Sequence, residues 1–289
     1  MRNRTLVFSP VIILILTVPI IYLFWYIPYL THQDNPMQLG VVFQPGWYDQ
    51  TSALQQLQKI ASDGFKLWAT DVSPYPLSQT EFQTRSLTFQ ESRRLGLKVM
   101  LRCQNFYSDN SSICDTFLSY FALNCNYFLV LSEIQRFLDA GYSVDRIKNE
   151  FILWATTIKQ YNPSAIIFTS FTASWVLVNP LQTSQIVSAI NSQVDAYGFS
   201  AYEYNAPTEV SMPMAVQVFR GFIHDKPLWI TETGTDVDPN WLINELEIFR
   251  SNGFPVSIIW IWHTYWGDLG YTVRDTQTET MLSDFMKKT

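Results

Sequence analysis

The sequence predicts an α/β fold, a closed (β/α)8 barrel of the TIM type preceded by a single N-terminal transmembrane helix. Three observations predict it. Eight short apolar runs alternate with helical stripes, the order of a parallel sheet covered on both faces. A helix–Gly–strand junction recurs at Ser62-Asp63-Gly64-Phe65, Arg94-Leu95-Gly96-Leu97 and Ser251-Asn252-Gly253-Phe254, where Gly accepts the left-handed conformation that ends a helix. Of the 289 residues, those from Gln33 onward number about 257, near the roughly 250 of one such barrel and about 32 per unit. The alternative is a doubly wound open sheet. That fold usually carries a Gly-rich phosphate loop after its first strand, and Phe43-Gln44-Pro45-Gly46-Trp47 is not one.

Leu6–Leu30 is almost wholly apolar. About 25 residues cross a hydrocarbon core of roughly 30 Å with some tilt. Pro10, Pro19 and Pro28 fall within it, and a lone span tolerates them better than a soluble helix does. Arg2 and Arg4 precede the stretch and no Lys or Arg follows before Lys59, a bias that places the N-terminus in the cytoplasm and the rest outside. Tyr22, Trp25, Tyr26 and Tyr29 make an interfacial aromatic belt. The stretch is longer than a signal-peptide core and no small-x-small site closes it, so an uncleaved anchor is favoured over a cleaved signal and a secreted chain. Residues 1–32 are thus a cytoplasmic stub and signal anchor, and 33–289 the barrel.

The strands expected in order are Leu39–Gln44, Phe65–Ala69, Lys98–Arg102, Tyr127–Leu131, Ala165–Ser170, Ala196–Ser200, Leu228–Thr231 and Val256–Trp262. Between the first two, Leu54, Leu57, Ile60 and Ala61 form a stripe ending at Gly64. Ser78-Gln79-Thr80-Glu81 reads as a capping box before the second helix. Ile147, Phe151, Trp154 and Ile158 share one helical face. Asp238-Pro239 is an N-cap followed by Pro at the first helical position. Further helices are expected near 112–124, 181–193, 212–223 and 276–287.

Composition narrows the function. With 16% aromatic residues, a disordered linker is excluded. A formal net charge of −6 without a dense Lys/Arg run argues against nucleic-acid binding. The three cysteines, Cys103, Cys114 and Cys125, match no zinc spacing. Either Cys103 and Cys114 form one disulfide, since Cys114 and Cys125 would sit about 16 Å apart on one helix, or all three are free buried thiols. Asn110-Ser111-Ser112 is the one glycosylation sequon of the outer part. No cofactor is expected, and His263 has no matched partner for a metal.

In such a barrel the active site lies at the C-terminal strand ends. Phe128-Leu129-Val130-Leu131-Ser132-Glu133 and Leu228-Trp229-Ile230-Thr231-Glu232 each end an apolar run in a glutamate. Strands four and seven face each other across the mouth, and two carboxyl groups about 5–5.5 Å apart are what a retaining glycosidase uses. A structural role in binding loop backbone is the competing reading of either glutamate alone.

Trp229-Ile230-Thr231-Glu232-Thr233-Gly234 closely resembles the nucleophile strand of the clan A glycoside hydrolases, retaining (β/α)8 enzymes with glutamates on strands four and seven. The resemblance covers roughly 38–289. Phe199-Ser200-Ala201-Tyr202 is similar to the segment whose Tyr hydrogen-bonds the nucleophile, and Trp260-Ile261-Trp262-His263 to strand eight, which ends in a Trp flooring the sugar site. The resemblance implies Glu232 as nucleophile, Glu133 as acid/base, Tyr202 as the residue orienting the nucleophile and Trp262 as platform. Ser132 stands where most of these families have the Asn that binds the 2-hydroxyl, and Lys66 where many have an Arg, for which Arg102 is a substitute. Trp47, Asp71, Asn105, Glu203 and His263 complete the expected substrate-binding rim, with Asp236 and Asp268 as loop carboxylates and Trp68, Trp175 and Trp266 as further aromatics. Aromatic faces stack on sugars, and equally pack between helices and sheet. The expected partner is a carbohydrate, the nearest flavour an endo-β-glycanase or mannanase, and the oligomeric state by default a monomer. A non-catalytic carbohydrate-binding barrel, or a transglycosylase using the same residues, are the alternatives.

Overall fold

The computed structural model describes residues 37–202, 212–223, 226–235, 238–262 and 272–288. The expected span Leu6–Leu30 lies outside them; among the described residues no helix is long and apolar enough to cross a membrane. Eight parallel strands close in sequence order into a barrel. They are β1 (Gln38–Val42), β2 (Leu67–Asp71), β3 (Lys98–Cys103), β4 (Tyr127–Val130), β5 (Ile166–Thr172), β6 (Ala196–Tyr202), β7 (Leu228–Gly234) and β8 (Val256–Ile259). β8 returns to β1 with Gly40 opposite Ile258, which seals the barrel. Every expected strand is present, with ends shifted by a few residues.

Around them run α1 (Gln50–Ser62), α2 (Gln79–Arg94), α3 (Ser111–Phe121), the short α4 (Gln135–Asp139), α5 (Val144–Tyr161), α6 (Ala173–Val178), α7 (Pro180–Ile190), α8 (Met212–Ile223), α9 (Pro239–Ser251) and α10 (Gln277–Lys288). The junction glycines behave as the sequence demands: Gly64, Gly96 and Gly253 have φ of 104°, 70° and 75°. Asp238 caps α9 by accepting from the Asn240 amide. The capping box forms only halfway. Ser78 accepts from the Glu81 amide, but the Glu81 carboxylate turns to Arg85 at 3.0 Å, because a buried guanidinium needs a counter-charge more than an exposed amide needs an acceptor.

Two apolar layers hold the fold. The outer one, between strands and helices, includes Trp68, Phe89, Phe121, Phe151 and Trp154. The inner one fills the lower barrel with Leu67, Met100, Leu129, Phe168, Trp229 and Ile258. Trp229 meets Tyr127 edge-on at 4.8 Å, and Gly198 on β6 leaves room for the Thr231 side chain, which a Cβ there would strike. The inner layer turns polar toward the C-terminal ends of the strands. That change of lining defines the mouth.

Of the two readings of the cysteines, the free buried thiols hold and the Cys103–Cys114 disulfide does not. Cys103, Cys114 and Cys125 are all free and buried. Cys103 and Cys114 pack as small apolar groups in the outer layer, and burial, aided by Asp115, pushes the Cys114 thiol up to about 11.

Candidate active site

Strand alternation aims Asp71, Arg102 and Tyr202 into the mouth, whereas Glu232 shares the parity of the outward Ile230 and is brought inward by the register irregularity of β7. Arg102 is the centre. Its side chain is 3% exposed, its Nη2 lies 2.5 Å from Glu232 Oε1, and its Nε lies 3.3 Å from Asp71 Oδ1. The guanidinium also sits 4.7 Å from the Trp260 ring centroid, a cation–π contact strengthened by desolvation. Nη1 is buried without a hydrogen-bond partner among the described residues.

Glu232 is buried to 6% exposure. Burial raises its carboxyl above the ordinary value, Arg102 opposes this, Glu133 and Asp71 add to it, and a hydrogen bond from Tyr202 lowers it again. The carboxylate is thus held in a dry site by one cation and one phenol. β7 pairs β6 with a register irregularity that places Ser200 opposite Glu232.

Glu133 follows β4 in an unusual backbone. Leu131 and Glu133 both have φ of 51°, the left-handed region that costs a non-Gly residue roughly 1–2 kcal/mol. β5 holds them there. The Leu131 carbonyl accepts from Thr169 Oγ1 at 3.0 Å, and the Glu133 amide donates to Ser170 Oγ at 2.9 Å. Thr172 Oγ1 donates to Glu133 Oε1 at 3.1 Å, while the exposed Arg136 approaches Oε2 at 3.4 Å. Ser132 is buried, its Oγ 3.2 Å from Ser170 Oγ. Its hydroxyl is engaged where the resemblance implied a sugar contact.

On the opposite wall Asp71 accepts from Gln44 Nε2 at 2.6 Å and from Gln104 Nε2 at 2.9 Å. Gln44 and Gln104 have no motif around them in the sequence, and their role follows only from the register of β1 to β3. Trp47 stands 36% exposed on the turn after β1. Asn105 is exposed beyond β3, where its carbonyl accepts from Trp154 Nε1 at 2.9 Å.

Strand eight requires a correction. Trp262 is wholly buried, donates to Gln56 on α1 at 3.1 Å and meets Phe65 edge-on at 6.0 Å. It belongs to the outer layer, where no sugar reaches. Trp260 faces the mouth instead, and Ile261 rather than Trp262 continues the inner layer across the cis Trp260–Ile261 peptide. Trp68 is likewise an outer-layer residue, donating to Ser92 at 2.7 Å, and Trp175 stacks on Phe171 at 6.3 Å. Glu203, His263, Trp266, Asp236 and Asp268 lie outside the described residues.

No family model and no curated protein matches the sequence. Solved structures do match in shape. The endo-1,4-β-D-mannanase of Thermotoga petrophila RKU-1 superposes with a TM-score of 0.66 at 12% identity, over 88% of this chain and 100% of that one. The fold is that of the clan A (β/α)8 glycoside hydrolases. GH5_18 from Streptomyces cattleya gives a TM-score of 0.66 at 11% identity, over 88% of this chain and 80% of that one. A β-galactosidase from the psychrophilic Marinomonas ef1 gives 0.64 at 10%, over 87% of this chain and 59% of that one. In this barrel Glu133 follows β4 and Glu232 lies near the end of β7.

Proposed function

We propose that the chain is a retaining glycoside hydrolase acting on a β-linked poly- or oligosaccharide, held at the outer face of a membrane by its N-terminal span. The observation that carries it is the pairing of Glu232 with Arg102 and Tyr202 inside the mouth, within electrostatic range of Glu133. A buried carboxylate paired with a cation is a nucleophile in waiting. A carboxyl at the rim, bonded to Thr172 and partly in water, suits proton exchange.

In the first step Glu232 attacks the anomeric carbon, the bond to the glycosidic oxygen breaks, and Glu133 delivers its proton to that oxygen. An ester joins the sugar to Glu232. Glu133, now a carboxylate, takes a proton from water, the water oxygen attacks the same carbon, and Glu232 leaves. Two inversions retain configuration. Trp260 supplies the apolar floor. The mannanase and the GH5_18 structure solved with GlcNAc support β-mannosides and β-N-acetylglucosaminides as early substrates to try. Ser132, engaged with Ser170, favours a second reading, a barrel that binds glycans without cleaving them. Loss of turnover on Glu232→Gln with binding kept separates the two.

A further inference from the structure

All eight strands begin on one face of the barrel, opposite the mouth, and β1 begins there at Gln38. Only residues 31–36 separate the apolar stretch Leu6–Leu30 from Met37, and seven peptide steps reach at most about 25 Å. On so short a tether the barrel presents its N-terminal face to whatever holds that stretch.

That face is charged differently from the chain. The whole carries a formal net charge of −6. Yet Lys66, Arg93 and Lys98 lie exposed around the starts of β2 and β3, and none of them makes an ion pair among the described residues. The nearby carboxylates Asp63 and Asp195 are engaged by Lys59 and Lys159. Arg93, in the last turn of α2, complements the negative end of its helix. Lys66 and Lys98 stand at the starts of strands, where no helix end accounts for them.

Beside these cations a cleft of about 510 Å³ is lined by Arg93, Lys98, Leu123, Asn126, Ser164 and Ile166 among others, with no carboxylate in its walls. Leu123 is 75% exposed and Ile166 38%. Cations beside exposed apolar side chains suit a phospholipid interface, where the charge meets phosphate and the hydrocarbon leaves water.

We propose that the N-terminal face of the barrel docks on the anionic phospholipid headgroups of the membrane that holds Leu6–Leu30, through Lys66, Arg93, Lys98 and Leu123, so that the mouth opens away from the bilayer. The proposal rests on reading Leu6–Leu30 as an uncleaved span. Docking fixes the reach of the enzyme: it works on glycan standing off the membrane, not on headgroup sugars beneath it.

The test uses the full chain in lipid nanodiscs made of phosphatidylcholine with or without phosphatidylglycerol. A fluorophore is placed at Leu123→Cys, or at Tyr75→Cys on the mouth side, where Tyr75 is 74% exposed. The native thiols are buried, so labelling is confined to the new site. With nitroxide-bearing lipids, the label at position 123 should be quenched and the label at 75 spared, with phosphatidylglycerol deepening the difference. Reversing three charges (Lys66→Glu, Arg93→Glu, Lys98→Glu) should lower the docked-to-free ratio by at least about a hundred-fold, since removing a cation alone is worth roughly five-fold. Circular dichroism checks that this variant is folded. Equal quenching at both sites, stronger quenching at 75, or indifference to charge reversal overturns the proposal. Carbonate extraction separates the two levels. A chain retained by the bilayer but unquenched at 123 overturns docking alone; a released chain overturns the span and docking with it.

Discussion

Arg102 Nη2 lies 2.5 Å from Glu232 Oε1, and neither side chain is more than a tenth exposed. Burying both charges is costly, and the cost is offset only while the pair is intact. Arg102 therefore sets the ionisation of Glu232 as well as its position.

The first prediction concerns pH. Glu232 must be ionised to attack, and burial holds its carboxyl above the ordinary carboxylate range. Activity should therefore fall with decreasing pH while still above about 4.3, the usual glutamate value. Arg102→Met removes the main opposing influence. The acid limb of kcat/KM should then move to higher pH. Unfolding by urea should show a loss of about 3–5 kcal/mol, because a buried charge is left unpaired.

Tyr202 hydrogen-bonds the same carboxylate. Tyr202→Phe keeps the ring and deletes the hydroxyl. The expected result is a roughly ten- to hundred-fold fall in kcat with KM little changed, as for the loss of a charge-assisted hydrogen bond of about 1.5–3 kcal/mol. The acid limb should again move upward, since this bond favours the ionised form. Steady-state kinetics across pH measures both.

Glu133→Gln removes the proton donor but leaves the nucleophile. Aryl glycosides with good leaving groups should still form the glycosyl-enzyme, while natural linkages lose about 10²–10⁴-fold. Azide should restore turnover and yield a glycosyl azide of retained configuration, read by proton NMR.

The two tryptophans of strand eight should separate cleanly. Trp260→Ala should weaken substrate binding, and by removing the ring that covers Arg102 should also slow turnover. Trp262→Ala leaves a cavity in the outer layer and should cost about 3–5 kcal/mol of stability, while Trp262→Phe recovers much of it with near-normal KM. Thermal unfolding and KM, measured together on all three variants, decide the assignment.

How far the sequence could be read follows from what each feature depends on. The strands, the junction glycines and the Asp238 cap are local. Apolar runs and a positive φ requirement are visible in a few consecutive residues, and all eight strands stand where those runs lie. The glutamates closing the fourth and seventh runs were legible because a barrel turns strand ends into a mouth. Trp262 was misplaced because the resemblance of the Trp260–His263 segment leaves two tryptophans to choose between, and only the layer each one joins tells them apart. Gln44 and Gln104 were invisible, since their bonds to Asp71 join residues 27 and 33 positions apart and exist only once register is set. The left-handed Glu133, held by Ser170 from the next strand, escaped for the same reason.

The central claim is that Glu232 is the nucleophile of a glycosidase. The most direct measurement compares wild type and Glu232→Gln, as full-length chains, on a panel of aryl β-glycosides together with β-glucans, mannans, xylans and galactans. The account predicts that the wild type releases product from at least one of them and that Glu232→Gln reduces that rate by about four orders of magnitude or more while remaining folded. Turnover by Glu232→Gln equal to wild type would contradict it.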